Sequence, residues 1–268
     1  MTTNKNILCL SGAALKWIAI ITMTIDHFAV AVWFNMFCHD FIIHPEYKTA
    51  FRVMRFIGRI AFPIFIFLII EGYRHTRSRL KYLLRMLIFS FISEVPYDLA
   101  FYREPLHMAK QNVFFTLFIG LAVIAVMDRM DIVLREIYYG TDCIKKRRNG
   151  HPSLPPLPVK LQLFCWLLDV GLTAVGMSTA WYLKTDYSHV GVLAICIAWR
   201  FCSIRMLSMS LSCTSLLFSS LSEFYGAAAL LPIAFYNGKR GRQIKYLFYF
   251  YYPAHLILFW LISGSFIN

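Results

Sequence analysis

Charge is scarce in this chain. Only 15% of its 268 residues are Asp, Glu, Lys or Arg, while 59% are hydrophobic and 17% aromatic. That balance excludes a freely soluble domain and describes a surface turned mostly toward lipid. Acidic residues are scarcest, 14 against 27 Lys and Arg, for a formal charge of +13. Such an excess would suit nucleic acid if it formed one patch. Here it lies mainly in short connections between apolar runs, where it orients membrane helices, so no nucleic-acid partner is expected. The seven cysteines include no CxxC pair. Most fall within apolar runs, where a thiol packs as a small side chain, and neither a disulfide framework nor a metal site is expected. No glycine-rich phosphate loop, internal repeat or soluble domain is visible, which leaves any activity to the membrane part. The inverted repeats common in transporters are not apparent either. A removable signal peptide is not expected, because the first apolar run carries Lys16, Asp26 and His27 and has no small-residue cleavage pattern beyond it.

What is present is a succession of apolar runs near the length of about 20 residues that a membrane helix needs. They fall near 11–36, 53–73, 82–101, 112–129, 161–182, 189–205, 207–222, 224–237 and 246–266. The expected fold is therefore all-α, a polytopic transmembrane helical bundle of about nine spans forming one domain over 1–268. With the amino terminus inside, the inner connections hold nineteen Lys and Arg and the outer ones five, leaving Lys16, Arg55 and Arg59 within spans. This asymmetry predicts amino terminus in and carboxyl terminus out, in a multi-pass protein of the cell's inner (cytoplasmic) membrane. The one long hydrophilic connection, about 130–160 and containing KKRRNGHPSLPPLP, reads as a basic, proline-broken cytoplasmic linker.

Ionisable side chains at membrane depth are costly unless paired or used, so each marks a candidate site. Lys16 and His27, eleven residues apart, share a helix face at a separation of about 16 Å. His27 suits proton abstraction near neutral pH, with Asp26 placed to tune it; the bland alternative is a histidine satisfied by a backbone carbonyl. Arg52, Arg55 and Arg59 form a stripe suited to a carboxylate or a phosphate, although Arg52 and Arg55 could snorkel to the interface. Glu71 and His75 lie one turn apart, either as a surface pair or as a proton-handling pair at a cytoplasmic mouth. In SEVPYD, Glu94 and Asp98 share a face, Pro96 is expected to break the helix between them, and Arg55 and Arg59 are the expected partners. A structural salt bridge is the competing reading. Arg85, Asp186 and His189 are further polar candidates. Pro253 is expected to kink the last helix and aim His255 into the bundle beside Tyr249, Tyr251 and Tyr252, residues that otherwise suit an interfacial belt.

The segments LKWIAIITMTIDHF, GRIAFPIFIFLIIEGYRHT, YLLRMLIFSFISEVPYDLAF, NVFFTLFIG, TDYSHVGVLAI and KYLFYFYYPAHLILFW, spread over nearly the whole chain, resemble the TraX family of conjugative-pilin acetylases. The first and last also resemble the wider superfamily of membrane acyltransferases, in which a basic residue stands ten intervening positions before an essential His. That basic residue is Lys16 here, where Arg is commoner. The resemblance implies His27 as catalytic base or acyl carrier, with Arg59, Glu71, His75, Glu94, Asp98 and Asn112 as site residues. It implies transfer of an acyl group, acetyl from acetyl-CoA, to an amine or hydroxyl of a peptide or glycan acceptor. Cytoplasmic coenzyme A would meet inner basic residues, with Arg74, Arg77, Arg79 and Lys81 as candidates, though these serve equally as orientation charges. Two other classes compete: a proton-coupled transporter or flippase using the same ionisable set, and a non-catalytic membrane assembly factor, which would tolerate His27→Ala.

Overall fold

The computed structural model describes residues 9–140, 156–242 and 247–265. All regular structure among them is helical, apart from isolated bridges pairing Leu10 with Tyr236 and Gln111 with Thr185. The elements are α1 (Gly12–Phe28), α2 (Pro45–Gly58), α3 (Ala61–His75), α4 (Arg79–Tyr102), α5 (Val113–Tyr139), α6 (Val159–Tyr182), α7 (Ser188–Arg200), α8 (Arg205–Leu216), α9 (Leu230–Ala234) and α10 (Leu247–Gly264). A π segment (Ala29–Phe34) and a short 3-10 turn (Cys38–Phe41) extend α1, and a 3-10 helix (Leu221–Ala229) runs into α9. Among the described residues, four helical stretches are long and apolar enough to cross a membrane: Gly12–Phe41, Pro45–His75, Val113–Tyr139 and Val159–Tyr182.

Local chemistry sets the ends. Ser11 Oγ accepts the Ala14 N–H at 3.3 Å to cap α1, Pro45 opens α2 where its missing N–H costs nothing, and Asn112 Oδ1 accepts the Phe114 N–H at 2.9 Å to cap α5. Two expectations fail here. Helix α4 runs unbroken through Pro96, which removes one backbone hydrogen bond from a helix long enough to absorb the loss. Helix α5 continues to Tyr139, past the expected start of the linker, because Asp131 and Arg135 pair one turn apart at 2.9 Å and the apolar face persists. The basic run at 145–148 lies outside the described residues. Pro253 lies within α10.

The main core joins α1, α3, α5, α7 and α8 through Leu15, Phe62, Ile66, Tyr73, Leu117, Leu121, Ile124, Ile195 and Met209. Small residues allow close approach: Gly120 faces Ile195, Gly176 faces Val123, and Ser208 and Ser212 on α8 donate to the Ala198 and Ala194 carbonyls of α7 at 2.7 and 3.0 Å. A second cluster, with Met23, Val32, Tyr97, Tyr252, Leu256 and Phe259, joins α1, α4 and α10. By contrast, α6 leaves Leu163, Phe164, Leu167, Val170, Val175 and Trp181 exposed, a face suited to lipid.

Helix α8 spans 12 residues, about 18 Å, short of a hydrocarbon core of about 30 Å. With the 3-10 helix and α9 it forms a hairpin whose ends meet, since Arg205 Nη1 donates to the Tyr236 carbonyl at 2.7 Å. Near its tip, Glu223 pairs with Arg59 at 2.8 Å. The basic residues Arg74, Arg79, Arg200, Arg205, Lys239 and Arg240 gather at the end where the hairpin closes. Gly12 and Ala13 are tied there by hydrogen bonds from their N–H groups to the Lys239 and Arg240 carbonyls at 2.8 and 2.9 Å.

Candidate functional site

Asp26 and His27 lie about 21 Å along α1 from its basic end, level with the junction between α2 and α3. There Arg55 Nη1 donates to Asp26 Oδ2 at 2.5 Å. Gly58 is buried against the Asp26 side chain, and a Cβ at that position would collide with it. Gly58→Ala is accordingly expected to displace Asp26, break its pair with Arg55 and cost about 1–3 kcal/mol, read as a lower melting temperature of the purified protein.

His27 and His255 meet across α1 and α10. Nδ1 of His27 stands 2.8 Å from Nε2 of His255, with the rings 5.1 Å apart and 4° from parallel. His255 is buried at 5% exposure, and its Nδ1 reaches the Tyr251 carbonyl at 2.8 Å. The Tyr251 ring stacks on His255 with centroids 5.0 Å apart, and its hydroxyl lies 2.8 Å from Thr24 Oγ1 on α1. Phe101 and Tyr252 stand edge-on to His27. The last helix therefore carries its histidine into the bundle, as expected.

The partners of the arginines differ from expectation. Arg55 pairs with Asp26 and Arg59 with Glu223, not with Glu94 and Asp98. The α4 carboxylates instead take neutral donors: Glu94 accepts from the backbone N–H of Asn112 at 3.1 Å and from its side-chain amide, while Asp98 Oδ2 accepts the His107 N–H at 2.8 Å. The geometric reason is that α1 and the hairpin, rather than α4, pack against the α2–α3 junction. Asn112 also donates to the Ser90 carbonyl at 2.8 Å, joining α5 to α4. Asp186 pairs with Lys110 at 2.8 Å, and its negative charge holds that loop ammonium above its ordinary pKa. Asp186 also lies close enough to act electrostatically on Asp26, Tyr97, Tyr187 and Glu223, which binds these groups into one polar cluster. Asp26 Oδ1, Arg59 Nε and Glu223 Oε2 in this cluster, and Glu94 Oε1 and Asp98 Oδ1 on α4, are buried without a hydrogen-bond partner among the described residues. His189 is exposed and 3.3 Å from its neighbour Ser188.

The remaining candidates sit at the other end. Glu71 pairs with Arg74 at 3.2 Å and accepts from the Tyr236 hydroxyl at 3.4 Å; His75 Nδ1 reaches the Glu71 backbone carbonyl at 2.8 Å and stands 3.9 Å from its carboxylate. Arg85 Nε donates to the Lys81 carbonyl at 3.0 Å, and Lys16 lies 5.1 Å from the Phe248 ring centre. Arg77 and Lys81 are exposed. Arg79 is paired with Asp128, which also accepts from Tyr73, so its guanidinium already has a carboxylate partner. A cavity of about 260 Å³ opens at this end, lined by Glu71, Arg74, His75, Ser203, Arg205, Ser208 and Tyr236. Arg205 has no carboxylate partner among the described residues, only the Tyr236 carbonyl and ring.

Glu223 and Tyr187 escaped the reading of the sequence. An acid within the apolar stretch 207–237 was the available signal for the first; nothing local marks Tyr187, whose ring stacks on Phe62 with centroids 3.7 Å apart.

A helical membrane protein with a charged cluster and a histidine pair sunk within its bundle is the class that this fold and site define. The chain belongs to the TraX protein family, whose sequence profile matches residues 11–263. It is also similar to a probable fimbrial assembly protein FimC, serogroup H1, of Dichelobacter nodosus, at 27% identity over 266 residues covering 92% of this chain and 93% of that protein. No solved structure matches.

Proposed function

We propose that the protein is an integral-membrane acyltransferase of surface-fibre assembly, moving acetyl from cytoplasmic acetyl-CoA to an amine or hydroxyl of a peptide or glycan acceptor. The carrying observation is the contact between His27 and His255 beside the Asp26–Arg55 pair, which puts a proton acceptor next to fixed charge inside an apolar bundle. In this reading the acceptor's X–H loses its proton to His27, X bonds to the thioester carbonyl carbon, the C–S bond breaks, and the proton passes to sulfur. Arg55 and Arg59 supply positive charge at this level for the oxygen that becomes negative. The name of the fimbrial relative supports a fibre subunit as acceptor, and equally a second reading in which the protein only helps assembly.

The basic end is assigned to the cytoplasm, with amino terminus inside, nine helical segments of which two are the short arms of the hairpin, and carboxyl terminus outside. The donor's phosphates then fall to Arg74 and Arg205 in the 260 Å³ cavity, in place of Arg79. Arg205→Ala is expected to weaken coenzyme A binding about tenfold by calorimetry, whereas Arg77→Ala and Lys81→Ala change it little. A melting temperature that falls in parallel would assign Arg205 to the hairpin closure alone. The test of the activity is purified protein in liposomes with acetyl-CoA and amine or sugar acceptors, scored by free thiol and by the acetyl mass increment on the acceptor. Absence of both, with no coenzyme A binding, would refute it.

A further inference from the structure

The two imidazoles are not equivalent. We propose that His255 is a positioning residue that holds His27 in its Nδ1–H tautomer, leaving His27 Nε2 as the atom that takes the acceptor's proton; this deepens the acyl-transfer reading and rests on it. A backbone carbonyl can only accept a hydrogen bond. Nδ1 of His255, 2.8 Å from the Tyr251 carbonyl, therefore carries a proton. In a neutral imidazole the other nitrogen then offers a lone pair, so Nε2 of His255 accepts. Its partner at 2.8 Å is Nδ1 of His27, which must donate. His27 is left with an unprotonated Nε2 on the side away from His255.

The surroundings hold this arrangement in place. Thr24 Oγ1 donates to the Ile20 carbonyl at 2.7 Å, so the Tyr251 hydroxyl, 2.8 Å away, donates to Thr24 and ties α10 to α1 one turn from His27. Stacked Tyr251 and edge-on Phe259 fix the His255 ring, while Phe101 and Tyr252 flank His27 with ring edges rather than with hydrogen-bonding atoms. No hydrogen bond among the described residues uses His27 Nε2, and His27 is only partly buried. When His27 takes a proton on Nε2, its Nδ1–H stays on His255, and the lock persists through the cycle. The chain of donors ends on a carbonyl, which can neither release nor pass on a proton. The pair is built to orient one base and ill suited to conduct protons across the membrane, which sets it apart from a transporter's relay.

The experiment is nitrogen-15 NMR of histidine-labelled protein in nanodiscs, with His27 and His255 resonances assigned by their loss in His27→Gln and His255→Gln. Both residues are expected to show a protonated Nδ1 and an unprotonated Nε2 at neutral pH. In His255→Leu the His27 signal should move toward the Nε2–H form, and kcat for thiol release should fall about tenfold or more with KM little changed. His255→Gln, whose amide oxygen can take the place of Nε2, should restore much of both. A protonated Nε2 on wild-type His27, or a His27 tautomer unchanged by His255→Leu in folded protein, overturns the proposal. The expected signature without any thiol release would leave the lock standing and refute the acyltransferase reading.

Discussion

Removal of the His27 imidazole by His27→Ala is expected to lower thiol release from acetyl-CoA by about 10²–10⁴-fold, the range that a positioned general base contributes. The protein should still fold. His27 is only partly buried, and its loss leaves one His255 nitrogen without a donor, at a cost of about 1–3 kcal/mol. Turnover is therefore to be normalised to folded protein by size-exclusion chromatography and melting temperature. A variant with wild-type release would remove His27 from the chemistry. If that variant also sustained fibre assembly in cells, the non-catalytic role would stand instead.

The largest effect on stability is expected at Glu223. It is 3% exposed and lies 2.8 Å from Arg59, whose side chain is 18% exposed, so the pair has little solvent to screen it. Glu223→Ala leaves a buried guanidinium without its counter-charge and should destabilise by about 3–5 kcal/mol. Replacing both residues with methionine removes the charge as well as its partner and should cost distinctly less. Thermal unfolding in detergent of the two single variants and the double variant decides the matter. A single variant no worse than the double would mean that the pair contributes nothing of its own.

Single positions were legible in the sequence wherever chemistry made them expensive. Asp26, His27, Arg55, Arg59, Glu94, Asp98 and His255 stood out because ionisable groups within apolar runs demand a reason. Their partners were not legible, because pairing depends on which helices touch. The two histidines are 228 residues apart in the chain, and Arg59 finds Glu223 on a hairpin rather than the nearer α4. Glu223 fell at the boundary drawn between two expected spans, where a charge reads as a loop residue. The break expected at Pro96 and the linker expected from 130 share a cause: each rests on local preference alone. Packing against neighbouring helices carries α4 past its proline, and the Asp131–Arg135 pair carries α5 past its apolar stretch.

The short hairpin also bears on how the chain is made. An α8 of about 18 Å has too little apolar length to hold itself across a bilayer as it leaves the ribosome. Its docking surfaces, α7 and the Arg59 end of α3, precede it in the chain. The hairpin therefore depends on protein contacts rather than on lipid to hold its place, the Glu223 carboxylate against the Arg59 guanidinium among them.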